Sequence, residues 1–308
     1  MKAKFSKEFW IVIIIVLITG LVLFMTKTET KNVHSFDLYS TGSLQEIADA
    51  IKNGADVNEK HDEGWTPLMF AAQSNPDSKV IEALINAGAD VNEKNEMGWT
   101  PIMMAAMENI NRGVIESLIN ASADINEGNK AGWTPLMLAT DDNLNPEVLM
   151  TLIKAGANIN VQSISGVTPL MIAAKRGNHE IVSTFISASV DVNAKYEMPE
   201  NSESSGDSYR FKWITPLMLA ASGNLNLTVI TALINAGADV NAKSEDGMTP
   251  LIHAARDNPN PQMITALLEF GADPKAKDKD GKMAIDYANE NEKLQNTAEL
   301  RKLEEVSK

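Results

Sequence analysis

The side chains best suited to chemistry are scattered along this chain. Its four histidines, His34, His61, His179 and His253, fall at unrelated phases, no serine or acid recurs beside them at a triad spacing, and cysteine is absent. That leaves no activated nucleophile and no thiolate metal site. Asp278-Lys279-Asp280-Gly281 has the outline of a calcium loop, but its first and twelfth positions would be Ala276 and Tyr287, which carry no carboxylate. No glycine-rich phosphate cradle follows a strand-like run. The chain is therefore expected not to be an enzyme, and to use no cofactor and no metal. What recurs instead is tryptophan. Trp65, Trp99 and Trp133 are 34 residues apart, and large aromatics at a fixed period either stabilise a repeated unit or line a contact surface.

The elements that carry these tryptophans repeat with them. Thr-Pro pairs begin at Thr66, Thr100, Thr134, Thr168, Thr215 and Thr249, with steps of 34, 34, 34, 47 and 34 residues. Such a period means stacked supersecondary units, each burying its face against its neighbours, so the product is an all-α solenoid with one continuous surface. In Gly64 to Met97, Thr66 is suited to cap a helix and Pro67 to open it. Leu68, Met69, Ala71 and Ala72 make a short first helix, Asn75-Pro76-Asp77 breaks it, and Val80, Ile81, Leu84 and Ile85 form the buried stripe of a second. Gly88 stands where a left-handed residue ends that helix, and Asp90 to Met97 makes a polar finger.

These strings, GWTPLMFAA from Gly64, GWTPIMMAA from Gly98, GWTPLMLAT from Gly132, GVTPLMIAA from Gly166, WITPLMLAA from Trp213 and GMTPLIHAA from Gly247, resemble the ankyrin repeat family over Asp37 to about Ala288. The resemblance implies a helix-turn-helix plus a β-hairpin finger per unit, and a protein-binding role. The units expected are 37–63 as a polar N-terminal cap, then 64–97, 98–131, 132–165, 166–212, 213–246 and 247–280, with 281–308 as the C-terminal cap. It also implies a concave face built from the finger tips, the residue before Thr-Pro and the pair after Ala-Ala. Carried onto this chain, those positions include Trp65, Trp99, Trp133, Gln73, Met107, Glu108, Asp141, Asp142, Lys175, Arg176 and Arg256. An aromatic, acidic first half would then face a basic patch at Lys175 and Arg176.

Four departures from the family pattern carry expectations of their own. Met69, Met103, Met137, Met171 and Met218, with Ile252, replace the family's histidine, so thioether packing replaces its hydrogen bonds. An extra residue lengthens most inter-helix turns and should alter curvature slightly. Ser122 and Ser189 replace helix-ending glycines, and should cost about 1 kcal/mol each if φ stays positive. The 47-residue step inserts a polar, serine-rich segment near 197–210 between Tyr196 and Tyr209, Phe211 and Trp213. Those aromatics either staple a protruding hairpin or meet a partner.

Ahead of the repeats, residues 1–8 form a short tail, 9–26 an apolar segment and 27–36 a polar tether. Phe9 to Met25 is uncharged, and as a helix would be about 25 Å long, at the short end of a membrane span. No small-x-small cleavage pattern follows it, which favours an uncleaved signal-anchor. Lys2, Lys4 and Lys7 precede it, against Lys27 and Lys31 after it, a bias that leaves the tail in the cytoplasm and the repeats outside. The expectation is thus a bacterial-type membrane-anchored ankyrin protein, single-pass in the inner membrane and monomeric, that scaffolds or docks a protein. The alternative is a cytoplasm-facing or exported effector that binds a target protein. The net charge of −14 suits a basic or neutral protein partner and disfavours nucleic acid.

Overall fold

The computed structural model of the chain describes residues 33–142, 145–195, 213–223 and 225–308. The apolar segment at 9–26 and the insertion near 197–210, with Tyr196, Tyr209 and Phe211, lie outside the described residues. Among those described, no helix is long and apolar enough to cross a membrane.

Among the described residues sixteen α-helices pair into eight stacked units: α1 (Val33–Thr41) with α2 (Leu44–Lys52), α3 (Pro67–Ser74) with α4 (Ser78–Asn86), α5 (Pro101–Glu108) with α6 (Arg112–Asn120), α7 (Pro135–Asp141) with α8 (Pro146–Lys154), α9 (Pro169–Arg176) with α10 (His179–Ser187), α11 (Pro216–Gly223) with α12 (Leu227–Asn235), α13 (Pro250–Asp257) with α14 (Gln262–Glu269), and α15 (Ala284–Glu290) with α16 (Ala298–Val306). The first member of each pair packs on the first of the next, making an inner row, while the second members form an outer row. Helix α1 begins inside the stretch that the sequence reading gives to the tether, because Phe36 is buried there, its ring centroid 5.0 Å from that of Phe70.

Thr-Pro opens the inner helices for the expected reasons. Thr66 is extended at φ −108°, its hydroxyl accepts from the Met69 N–H at 3.4 Å, and Pro67 takes the first turn, where a missing N–H costs nothing. The alanines behind it, Ala71 and Ala72, are fully buried and permit close approach to α5. On the outer row, Ile81 and Leu84 are fully buried too, each contributing roughly 1.5–3 kcal/mol of transfer free energy. One core runs without a break from Phe36 to Leu303.

The fingers correct the β-hairpin expectation. Among the described residues Ile214 alone forms a bridge, and no extended strand occurs. In the second finger a tight turn is closed by one residue, whose side chain serves two N–H groups. Asn95 Oδ1 accepts from the Met97 and Trp99 N–H groups while the Asn95 N–H donates to Trp99 O. Adjacent fingers meet through one backbone bond per junction, Glu96 N–H to Glu63 O, Lys130 N–H to Met97 O and Ile164 N–H to Ala131 O. One bond per junction is too little to extend a ladder. It is also why glycine is required there: a Cβ on Gly132, at φ 75°, would lie 2.7 Å from the Ile164 nitrogen.

Two asparagine ladders tie unit to unit. In the fingers, Asn58 Nδ2 donates to Gly88 O at 2.9 Å and its Oδ1 accepts from the Asp90 N–H. Asn92, Asn193 and Asn241 repeat the pair of bonds, and Asn126 and Asn160 the accepting half. Asn193 reaches 44 residues ahead where Asn58 reaches 30, so the inserted residues leave the stacking register intact. The second ladder uses the lengthened turns. Asn75, Asn109 and Asn258 are buried and donate Nδ2–H to carbonyls of the preceding unit, Asn109 to Ala72 O at 3.0 Å and Asn75 O at 2.9 Å.

The fourth repeat, 166–212, departs from this rule. Its inner and outer helices are joined by two residues, Gly177 and Asn178, where the α3–α4 link has three, and Gly177 takes φ 75° in place of the turn asparagine. Ser122 and Ser189 do adopt positive φ, 68° and 62°, as the sequence expectation required of them.

Candidate interaction face

From its sequence position, the residue before Thr-Pro sits where a finger returns to an inner helix. Trp99 is buried there at 9% exposure, while Trp65 and Trp133 are half-buried. They do not stack on one another alone. With Met69, Met103, Met104, Met107 and Leu138 they form a second apolar cluster alongside the main core. Methionine replaces the family's histidine at Met69 and Met103, so the polar junction becomes a thioether seam that the indole rings cover. The Thr100 and Thr134 hydroxyls are buried without a hydrogen-bond partner among the described residues. At the N-terminal end the seam continues into an aromatic group, Trp65 lying 5.1 Å from Phe70, with His61 edge-on to Phe36 at 4.5 Å.

The pairs after Ala-Ala separate into two kinds. Gln73 and Met107 are buried and belong to the packed array, whereas Glu108, Asp142, Lys175 and Arg176 are exposed and Asp141 is half-buried. The acidic half and the basic patch meet across one unit junction instead of facing apart. Arg176 Nε donates to Asp141 Oδ1 at 2.6 Å and Nη2 to Asp142 Oδ1 at 3.3 Å. Burial, then Asp141, push the Asp142 carboxyl up, and Glu108 adds to this against the opposing pull of Arg176. Burial lowers Lys175. Arg256 lies apart, held by Asp257 at 2.8 Å and against Met248 Sδ at 3.1 Å.

Residues that the sequence could have offered for chemistry are not brought together. His61 is in the aromatic group, His179 faces Ser183 at 3.4 Å on the outer row, and His253 is buried at 5% exposure with Nε2 unpartnered among the described residues. Desolvation, reinforced by Arg256, holds His253 neutral down to about 3. Asp278, the acid of the calcium-like string, is spent on its own finger, accepting from the Asp280 and Lys282 N–H groups and from the Tyr287 hydroxyl. No group of three or more metal-ligating side chains occurs among the described residues. The concavities are open grooves, one of 640 Å³ between α8 and α10 and one of 570 Å³ beside Arg176 and Asn226. The first is lined by Met150 and Ile153 on one side and by His179 and Ser183 on the other.

Sequence reasoning did not single out Phe70, Met104 or Leu138, the residues after the replaced histidine, although their fixed phase marks them as neighbours of the tryptophans. Nor did it pair Arg176 with Asp142. The signal was present, since the two are 34 residues apart, one repeat, and equivalent positions of adjacent units touch.

Comparison with known proteins agrees with this geometry. The profile described as ankyrin repeats (3 copies) matches residues 38–129 and 102–196, that for ankyrin repeats (many copies) matches 233–288, and that for a single ankyrin repeat matches 213–245. No curated protein matches the chain. Among solved structures, the human ASB11 ankyrin repeat domain superposes with a TM-score of 0.64 at 23% identity, over 79% of this chain and 98% of that one. At that identity the likeness speaks to the fold alone. Together the profile matches span more than half of the sequence, and the chain belongs to the ankyrin repeat family.

Proposed function

We propose that this protein is a non-catalytic docking module, held at a membrane by residues 9–26, that presents its repeats outside the cytoplasm to a protein partner. The observation that carries the docking role is the form of the interaction face. A continuous aromatic and thioether seam with charged margins suits a protein surface or peptide, not a small substrate. Ankyrin repeats as a family are protein-protein interaction modules, which supports the same reading.

Membrane display rests on the sequence: the apolar run Phe9–Met25, the lysines before it, and the absence of a cleavage pattern. Alkaline phosphatase fused after Lys308 and expressed in a bacterial host tests it. Enzymatic activity in a carbonate-resistant membrane fraction is expected. Activity in a soluble product would mean cleavage, and an inactive fusion would put the repeats in the cytoplasm.

A further inference from the structure

The charge on the interaction face is graded. The first finger (56–64) carries four carboxylates and one lysine, the second (90–98) three and one, the third (124–132) two and one, and the fourth (158–166) neither. Two of the three lysines are spent within the array: Lys60 pairs with Glu93 at 2.9 Å and Lys94 with Glu127 at 2.8 Å. Asp62, Glu63 and Glu96 have no ion-pair partner among the described residues. Along the chain the indole rings follow these fingers, the inner helices follow the rings, and Glu108, Asp141 and Asp142 close the far margin. In chain order the half-buried Trp65 and Trp133 thus fall between acidic residues on either side.

The far margin already shows what it binds. Arg176 lies on Asp141 and Asp142 with two hydrogen bonds, and the guanidinium comes from the equivalent position of the next unit. One unit earlier Met107 and Glu108 stand where Asp141 and Asp142 do, and Asp142 stands where Arg176 does, so Glu108 has an acid beside it in place of a cation. Glu108 is the last residue of α5 and Asp141 the last of α7. Carboxylates at helix C-termini oppose the helix dipole, so local helix stability does not account for them.

Resting on the docking reading above, we infer that the occupant of this half of the face is a basic peptide segment of a partner protein, with a lysine or arginine between Glu108 and Asp142 and apolar residues on Trp65 and Trp133. Charge complementarity on both borders sets the sign, and the aromatic seam supplies the buried anchor area.

The test is selection of a random 12-residue peptide library on the immobilised full-length protein, followed by tryptophan-fluorescence titration of the recovered peptides. Recovered peptides should be net positive, bind less tightly as salt rises, and lose at least tenfold in affinity to Glu108→Lys, with Glu180→Lys on the outer row unchanged. Circular dichroism confirms that both variants are folded. Basic peptides indifferent to Glu108→Lys would overturn the placement. Neutral or acidic peptides that still depend on Trp133 would overturn this inference and leave the docking face standing. An empty selection, or binding removed only by outer-row substitutions, would overturn both.

Discussion

Asn109→Ala probes the device that most distinguishes these units. The Asn109 amide is 4% exposed, donates to Ala72 O and Asn75 O in the preceding unit at 3.0 and 2.9 Å, and accepts from the Asn111 N–H at 2.9 Å. Ala72 depends on it for a specific reason. Four residues on lies Pro76, which has no N–H to continue the α3 ladder, so the next unit's side chain takes its place. Truncation leaves two carbonyls and one N–H in a dry junction. Each buried unsatisfied group costs about 1–3 kcal/mol, and water reaching part of the turn lowers the total, so the expected loss is about 3 kcal/mol. Asn109→Asp should cost as much or more, because it keeps the acceptor but sets a carboxylate against two carbonyls. Urea unfolding followed by circular dichroism and by tryptophan fluorescence measures it, Trp99 lying in the same unit. Asn92→Ala, in the exposed finger ladder, should cost about 1 kcal/mol. Equal losses for Asn92→Ala and Asn109→Ala, or a loss below 1 kcal/mol for Asn109→Ala, would refute the assignment of stability to the buried ladder.

Three other outcomes follow from the same structure. Trp99→Ala should destabilise by about 3–5 kcal/mol, as large-to-small changes at buried aromatics do, and by more than Trp65→Ala or Trp133→Ala, whose rings are half-buried; thermal unfolding of the three variants ranks them. Ser122→Gly and Ser189→Gly, at φ 68° and 62°, should each stabilise by about 1 kcal/mol in the same assay, the gain vanishing if the backbone there is unstrained. His253 has its folded pKa lowered to about 3 from 6.5. The unfolded chain therefore takes up a proton that the folded chain refuses, and stability falls as pH drops below 6.5. Between pH 7 and pH 5 this site should lose about 2 kcal/mol, a slope that His253→Leu removes.

The periodic features were legible because they are local. Thr66-Pro67 and its copies combine a cap with a first-turn proline, a pairing whose consequence needs no tertiary contact. Ser122 and Ser189 were legible as left-handed positions because the glycines of the other units mark the phase. Asn75 reads only as a turn breaker and Asn109 is not singled out at all, since their partners lie in the preceding unit and the bond appears once the stack is built. The fingers read as hairpins by resemblance, but Asn95, Asn129 and Asp278 close their turns on themselves and leave one bond per junction. The acidic and basic pairs read as separate patches because charge was taken along the chain, not across it. Placing Asp141 and Asp142 one repeat before Arg176 shows why the guanidinium reaches both carboxylates.

On the proposed function, the inner, tryptophan-lined face is the one that meets a protein partner. Photo-crosslinking residues placed singly at Phe70, Glu108 and Trp133, and at Glu82, Thr151 and Glu180 on the outer row, distinguish the two faces in the cells that make the protein. A discrete crosslinked partner is expected from the first three positions, the same one for each, and none from the last three. Crosslinks confined to the outer row would contradict it.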